Sequence, residues 1–268
     1  MSSSHPPGSG PAGQYDSFAD IYGVWAETAP AAQTNRRFYV EAYLAAGGPV
    51  VELGVGDGRI AVEAAARGCR VIGVDASPAM LRRCRRRAEE AGVGDRIELL
   101  QTDFRTFRID EPAALVTLPH HSIGRLTSVP DKRQVAHHVF SQLRPGGRLI
   151  YDDFVMTPDV VARMRQVQLR AAYPSAAGTD ILLWVTSRVD EQARALEVIT
   201  WEDHFTADGR PEWRRYRRLG LSWLDPAHAR LLLLEAGFSI DACLGSFDGR
   251  PFSMDTAAEQ IWIARKPG

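Results

Sequence analysis

Cysteine is scarce: Cys69, Cys84 and Cys243 are the only three in 268 residues, too few and too scattered for a disulfide framework or a zinc site. A reducing, cytoplasmic compartment is the simplest expectation. No apolar run approaches the roughly 18–20 residues that a membrane span needs, so no membrane partner is expected. An excess of one charge is lacking too. Lys and Arg total 32 against 33 Asp and Glu, a net charge of −1, which gives no global pull toward nucleic acid or an anionic surface. Residues 1–14 (MSSSHPPGSGPAGQ) lack both the basic and the apolar segment of a signal peptide, and their Ser, Pro and Gly content reads as a disordered tail. No internal repeat is visible.

What remains is an ordinary globular composition, 45% hydrophobic and 24% charged. Residues 15–28 and 34–46 carry aromatic and aliphatic side chains at helical spacing, with Thr34 as a candidate cap and Gly47-Gly48 as a stop. Residues 49–53 read as a short apolar strand that breaks into Gly54-Val55-Gly56-Asp57-Gly58 and then a helix. A second strand, 70–74, ends at Asp75, and Ser77-Pro78 starts a helix with Met80, Leu81, Cys84 and Ala88 on its buried face. That stripe interrupts the run Arg82, Arg83, Arg85, Arg86, Arg87, which therefore reads as a solvated helix face and not a phosphate patch. Strands at 97–102 and 113–118, a helix at 130–143 and a fifth strand at 148–151 continue the rhythm.

Short apolar strands alternating with helices predict parallel strands buried on both faces. The expected fold is α/β: a doubly wound, mainly parallel Rossmann-like sheet, with ligands at the carboxyl ends of its strands. After a helix at 158–172 come three consecutive strands, 181–189, 196–205 and 213–223, which suggest an antiparallel insert after the fifth strand. A helix at 226–236 and strands at 238–242 and 260–264 follow.

Closely spaced glycines at a strand-to-helix turn let the backbone approach a ligand without interference from Cβ. The spacing Gly-x-Gly-x-Gly differs from the Gly-x-Gly-x-x-Gly of dinucleotide sites, because Arg59 stands where the third glycine would be. Asp57 at the helix start would repel a pyrophosphate, so the loop suits a cationic, phosphate-free nucleoside. Asp75, ending the second strand, can accept hydrogen bonds from both ribose hydroxyls. Asp103, ending the third, can accept from an adenine amine while Phe104 covers the ring.

These stations resemble the class I S-adenosylmethionine-dependent methyltransferase family, small-molecule acceptor type. The match runs through Glu52–Gly58, residues 71–75 with Ser77-Pro78-Ala79-Met80-Leu81, Thr102-Asp103-Phe104, and Leu143-Arg144-Pro145-Gly146-Gly147-Arg148-Leu149. The resemblance covers about residues 15–155 and implies S-adenosyl-L-methionine as cofactor, with S-adenosyl-L-homocysteine as product. It would put Gly54 and Gly56 along the methionine portion, Glu52 at its amino group, Asp75 at the ribose, and Thr102, Asp103 and Phe104 around the adenine. Ala76, Met80 and Pro119 join them as expected cofactor contacts. Asp57 departs from the Thr or Ser that many members carry after the second glycine. Tyr15-Asp16-x-Phe18-x-x-x-Tyr22 resembles the aromatic helix that closes over the cofactor in members such as sugar N-methyltransferases. Tyr15 and Tyr22 are then candidate cofactor contacts, although an amphipathic helix packing its own aromatics explains them equally well.

Pro119-His120-His121-Ser122 ends the fourth strand, where this family places the acceptor. His120 or His121 is a candidate base, since imidazole titrates near working pH; a structural hydrogen bond is the alternative. Asp152 and Asp153 end the fifth strand, and Asp153 is taken as a third catalytic candidate. No metal is expected, because two adjacent histidines chelate poorly. Alternation puts Trp213, Arg215 and Arg217 on one face of a strand and Arg214, Tyr216 and Arg218 on the other, a solvated or subunit-facing strand more than an anion site.

The expected organisation is a tail (1–14), a helical lid (15–46), a cofactor-binding core (47–156), an acceptor-side insert (157–225) and a last helix with strands (226–268). The expected activity is methyl transfer to an N, O or C atom of a small molecule, in specialised-metabolite biosynthesis. An aminopropyltransferase on the same fold would want a carboxylate pair where Pro119-His120-His121 stands. A nucleic-acid methyltransferase would want an Asn/Asp-Pro-Pro-Tyr-type motif there. The expected partner is a small-molecule acceptor, with no nucleic acid and with a homodimer left open.

Overall fold

Helix starts in this chain are written in cap-and-proline pairs. Ser77 accepts from the Met80 amide, Thr157 from Val160 and Asp225 from His228, each followed by a proline that begins the helix. The computed structural model describes residues 18–28 and 32–268. Tyr15 and the expected tail, residues 1–14, lie outside the described residues. The chain divides into two units, residues 33–155 with 223–268, and residues 156–222 with those up to 32.

The larger unit holds a seven-stranded sheet of order β10-β11-β5-β4-β1-β2-β3. Its strands are β1 (Val50–Leu53), β2 (Val71–Asp75), β3 (Ile97–Gln101), β4 (Ala113–Leu118), β5 (Leu143–Phe154), β10 (Ser239–Leu244) and β11 (Glu259–Arg265). Only β11 runs against the others, pairing antiparallel with both β5 and β10. Chain order reverses between β1 and β4, which are neighbours, and such a switch point opens a crevice at the carboxyl ends of the strands.

Helices cover both faces. On one side Val51, Leu53, Val116 and Leu118 pack with Val135 and Val139 of α5 (Val129–Gln142) and Leu232 and Leu233 of α7 (Pro226–Glu235). On the other, Val50, Leu115 and Ile150 pack with Tyr39 and Val40 of α2 (Ala32–Leu44), Ala61 and Ala64 of α3 (Ala61–Ala66), and Leu81 and Cys84 of α4 (Pro78–Glu90). All four residues of β1 are buried, which is why that strand has no polar alternation. Thr34 falls inside α2 and does not cap it. The arginines of α4 face solvent as expected except at its end, where Arg87 turns back to Asp57 at 3.0 Å and neutralises the acid of the glycine loop.

The smaller unit contains α1 (Tyr22–Glu27), α6 (Pro158–Met164) and a four-stranded antiparallel sheet of order β6-β7-β8-β9. These strands are β6 (Gln168–Pro174), β7 (Asp180–Asp190), β8 (Ala195–Phe205) and β9 (Pro211–Ser222). The helix expected over 158–172 ends at Met164. Residues 168–174 instead pair with β7, Leu169 opposite Trp184 and Tyr173 opposite Ile181, because closing the free edge of β7 outweighs a weak helical preference. Trp184, Trp201 and Tyr216 stand directly opposite one another across three strands, the two indoles stacked at 6.3 Å. On the opposite face Arg217 is buried, and its guanidinium meets Glu202 at 2.6 Å and Asp20 at 2.8 Å. The Tyr173 hydroxyl also donates to Glu202. Among the described residues no helix is long and apolar enough to cross a membrane.

Replacing Arg217 with alanine leaves the Glu202 carboxylate buried without its cation and should cost about 3–5 kcal/mol. Urea denaturation measures it. The double variant Arg217→Ala/Glu202→Gln should recover part of the loss, because the uncompensated charge is then gone.

Candidate active site

The glycine loop owes its spacing to backbone conformation. Gly54, Gly56 and Gly58 have φ of 81°, 56° and 80°, the left-handed region that L side chains avoid, so every second residue of the turn must be glycine. Gly58 is also sterically fixed: a Cβ there would come within 2.5 Å of the Cys84 sulfur.

Beside the loop, Glu52 ends β1 almost fully buried. Burial pushes its carboxyl up to about 8, with Asp57 and Asp75 adding to the rise, although Tyr43 and Arg59 pull the other way. Its Oε2 atom is buried and has no hydrogen-bond partner. Arg59 donates to Asn35 at 2.9 Å, and the Tyr43 hydroxyl meets that of Thr117 at 2.7 Å. Asp75, at the end of β2, accepts from the Gly56 amide at 3.0 Å and the Ser77 amide at 2.8 Å. It therefore ties the glycine loop to the next helix start and keeps part of its surface open.

Thr102 is half-buried, its amide donating to the Asp75 carbonyl at 3.2 Å. Asp103 is occupied in a way its sequence position did not suggest. Arg105 forks onto both of its oxygens at 2.8 Å and reaches Asp131 at 2.8 Å. Those hydrogen bonds hold the Asp103 carboxyl below its ordinary value. The Phe104 ring lies against Gly54, where a Cβ would meet it at 3.3 Å. Ala76 is half-buried beside Asp75, whereas Met80 is fully enclosed. The Pro119 carbonyl accepts from the Ser122 hydroxyl at 2.6 Å.

The turn after β4 carries two successive left-handed residues, His120 at φ 57° and His121 at φ 56°. Such a conformation costs about 1–3 kcal/mol at each non-glycine residue. Asp152 offsets it. One carboxylate oxygen accepts from the His120 amide at 2.9 Å and from the Tyr39 hydroxyl at 2.5 Å; the other accepts from the His121 amide at 2.8 Å. The His121 ring stacks on Phe154 with centroids 4.0 Å apart, and its Nε2 meets Glu259 at 2.7 Å. Burial alone would lower the imidazole pKa, but Glu259, Asp152 and Asp153 together outweigh it and raise it to about 9. His121, Asp152 and Glu259 have ligand atoms within 4.8 Å of one another, the spacing a cation would use. Asp152 already accepts three hydrogen bonds there, and a proton on His121 supplies the positive charge.

Asp153 faces the other way. Its oxygens accept from the Phe154 amide at 2.8 Å and the Leu224 amide at 3.0 Å, on the side where Lys132 also lies. Alternation along β5 thus gives the acceptor turn Asp152 and gives the helix layer Asp153. Tyr22 sits half-buried in α1 of the smaller unit.

A family profile described as "Methyltransferase domain" matches residues 50–147, the stretch from the start of β1 to the glycines of β5. That stretch, over a third of the chain, is similar to a methyltransferase domain. Among curated proteins, a carboxy-S-adenosyl-L-methionine synthase of Wolinella succinogenes is 29% identical over 136 residues, 49% of this chain and 55% of that one. The chain thus spans about half the length of that relative, and 35% and 34% of the similar synthases of Erwinia tasmaniensis and Cronobacter sakazakii. Cypemycin N-terminal methyltransferase of a Streptomyces species is 25% identical over 220 residues, 82% of this chain and 84% of that one. Among solved structures, the CcbJ methyltransferase of Streptomyces caelestis has a TM-score of 0.81 at 21% identity, covering 97% of this chain and 100% of that one. CalS10 of Micromonospora echinaspora, an amino pentose methyltransferase solved with S-adenosylmethionine bound, has a TM-score of 0.68 at 19% identity, covering 93% and 96%. These likenesses match the methyltransferase domain together with the strands that follow it.

Two residues at the edge where β4 and β5 end were not visible in the sequence. Glu259 lies one residue outside the expected last strand, and only the antiparallel course of β11 brings its first residue to the edge where β4 and β5 end. Tyr39 reads as an aromatic on a core stripe until its hydroxyl is seen on Asp152.

Glu52 has a pH signature. Its carboxyl rises on folding from an ordinary value of 4.5 to about 8, so the stability it contributes is complete below the lower value and is lost as pH rises through the upper one. Urea midpoints of the unliganded protein should therefore fall more steeply over that window than those of Glu52→Gln. Parallel curves would show that Glu52 keeps its charge in the folded state.

Proposed function

We propose that this protein transfers a methyl group from S-adenosyl-L-methionine to an amine nitrogen of a small specialised metabolite. The observation that carries the cofactor half is Glu52: a buried carboxyl with one unpartnered oxygen, beside a glycine loop and one strand away from Asp75. A cationic amino acid attached to a nucleoside would meet that oxygen with its ammonium and Asp75 with its ribose hydroxyls. Gly54 and Gly56 would admit the methionine portion close to the backbone, and Phe104 would cover the adenine. Asp103 would accept the adenine amine only alongside the Arg105 fork.

When bound, the cofactor supplies a methyl group on a cationic sulfur. The amine lone pair forms the new C–N bond as the C–S pair returns to sulfur, leaving S-adenosyl-L-homocysteine. A neutral amine needs no base at that moment, whereas a hydroxyl acceptor does. The acceptor edge agrees with the first case, because the imidazole of His121 is ion-paired with Glu259 and is no free base at neutral pH. The named acceptors of the similar proteins point the same way, an N-terminal amine for the cypemycin enzyme and an amino pentose for CalS10. His120, whose ring lies 5.9 Å from that of His121, stays a candidate for direct contact with the acceptor.

Calorimetry should give tighter binding of S-adenosyl-L-homocysteine than of NAD, and the reverse order would sink the cofactor reading. Asp75→Ala should weaken S-adenosyl-L-homocysteine binding by about 1.5–3 kcal/mol, the scale of hydrogen bonds to a charged group. A panel of amines and matched alcohols, incubated with isotope-labelled methyl donor and read by mass, decides the acceptor atom; label on the alcohols alone would overturn the amine assignment.

A further inference from the structure

Glu259 lies outside the matched domain, on the one strand of the larger sheet that runs against the rest. Its carboxylate stands 2.7 Å from His121 Nε2, and both side chains are largely buried. The carboxylates that raise its proton affinity are Glu259, Asp152 and Asp153, and the titratable ring of His120 stacks beside it at 5.9 Å. Asp152 approaches from β5, at 3.7 Å from the same nitrogen, and Glu259 from β11, while Asp153 adds its charge from the opposite face of β5. From α2, the Tyr39 hydroxyl donates to Asp152, and the Lys132 amine is held by the Ile123 carbonyl at 2.7 Å. The ring is also sandwiched by geometry, its face on Phe154 and its backbone amide on Asp152. Its other nitrogen, Nδ1, makes no hydrogen bond among the described residues.

We propose that Glu259 is a positioning residue of the acceptor edge: its carboxylate fixes the His121 ring so that Nδ1–H is presented to the acceptor as a hydrogen-bond donor, and His121 does not remove the acceptor's proton. With Nε2–H committed to Glu259 and both nitrogens protonated, His121 offers one outward N–H and no lone pair. It can orient a heteroatom of the acceptor, and the positive ring also disfavours an ammonium, so that the amine is held in its neutral, nucleophilic form. The role of the donor rests on the amine-methylation reading; the state of the ring does not.

The test is a histidine-labelled NMR titration of the full chain with S-adenosyl-L-homocysteine added as the probe. The His121 signal is assigned by its loss in His121→Gln, or in His121→Asn if that variant does not fold. His121 should remain doubly protonated through neutral pH and titrate near 9. In Glu259→Gln, which keeps the shape and a hydrogen bond, its proton affinity should fall at least tenfold, with the unfolding midpoint and S-adenosyl-L-homocysteine affinity little changed. Glu259→Asp should fall between the two. Titration of His121 near the ordinary histidine value in the unaltered protein, or an identical midpoint in Glu259→Gln, overturns the proposal. A failure to bind S-adenosyl-L-homocysteine would strike the cofactor reading instead and leave the titration readable.

Discussion

Glu52, Asp75, Asp152 and Asp153 end strands β1, β2 and β5 at one edge of a sheet covered on both faces, and a buried carboxylate costs several kcal/mol unless something answers its charge. The solutions differ, and the differences sort structure from function. Asp153 is answered by two backbone amides and the nearby Lys132. Asp152 is answered by two amides and a tyrosine hydroxyl. Asp75 takes two amides while half-exposed. Glu52 alone of the four keeps a buried oxygen with no partner. Burial therefore favours its neutral form next to the glycine loop.

Helix α2 joins the two halves of that edge. Asn35, Tyr39 and Tyr43 are four residues apart, hence on one helix face, and all three are buried. Asn35 holds Arg59 at the start of α3, Tyr39 holds Asp152 behind the acceptor turn, and Tyr43 meets Thr117 in β4. One helix therefore fixes the glycine loop and the turn after β4 in a common frame. Tyrosine suits the task because its ring fills core volume while its hydroxyl reaches a polar partner.

The order of strand-end residues could be read from the sequence because each lies where an apolar run meets a glycine, a capping residue or an acid. The glycines of the turn were legible in the same way, as backbone without Cβ, while their left-handed conformation appears only in the structure. What could not be read depends on register and on neighbours distant in sequence. Asp152 and Asp153 look interchangeable until pairing with β11 fixes which face each one takes. Arg105 is two residues from Asp103, yet only the loop geometry folds it back as a fork. Glu259 gains meaning from a strand that enters the sheet in reverse. The missed strand β6 belongs to the same class, since its conformation is decided by the free edge of β7 and not by its own preference.

The turn at His120 and His121 shows why those side chains matter. Glycine would adopt two successive left-handed conformations without penalty, as the chain does at Gly54, Gly56 and Gly58. Histidines there cost about 1–3 kcal/mol each. Two charge-assisted bonds from their own amides to Asp152, at about 1.5–3 kcal/mol apiece, are of the size needed to hold them. The buried acid thus compensates strain that a glycine pair would not have needed. The ring of His121 is then fixed twice, through its main chain by Asp152 and through Nε2 by Glu259. A group held that firmly is suited to orienting an acceptor.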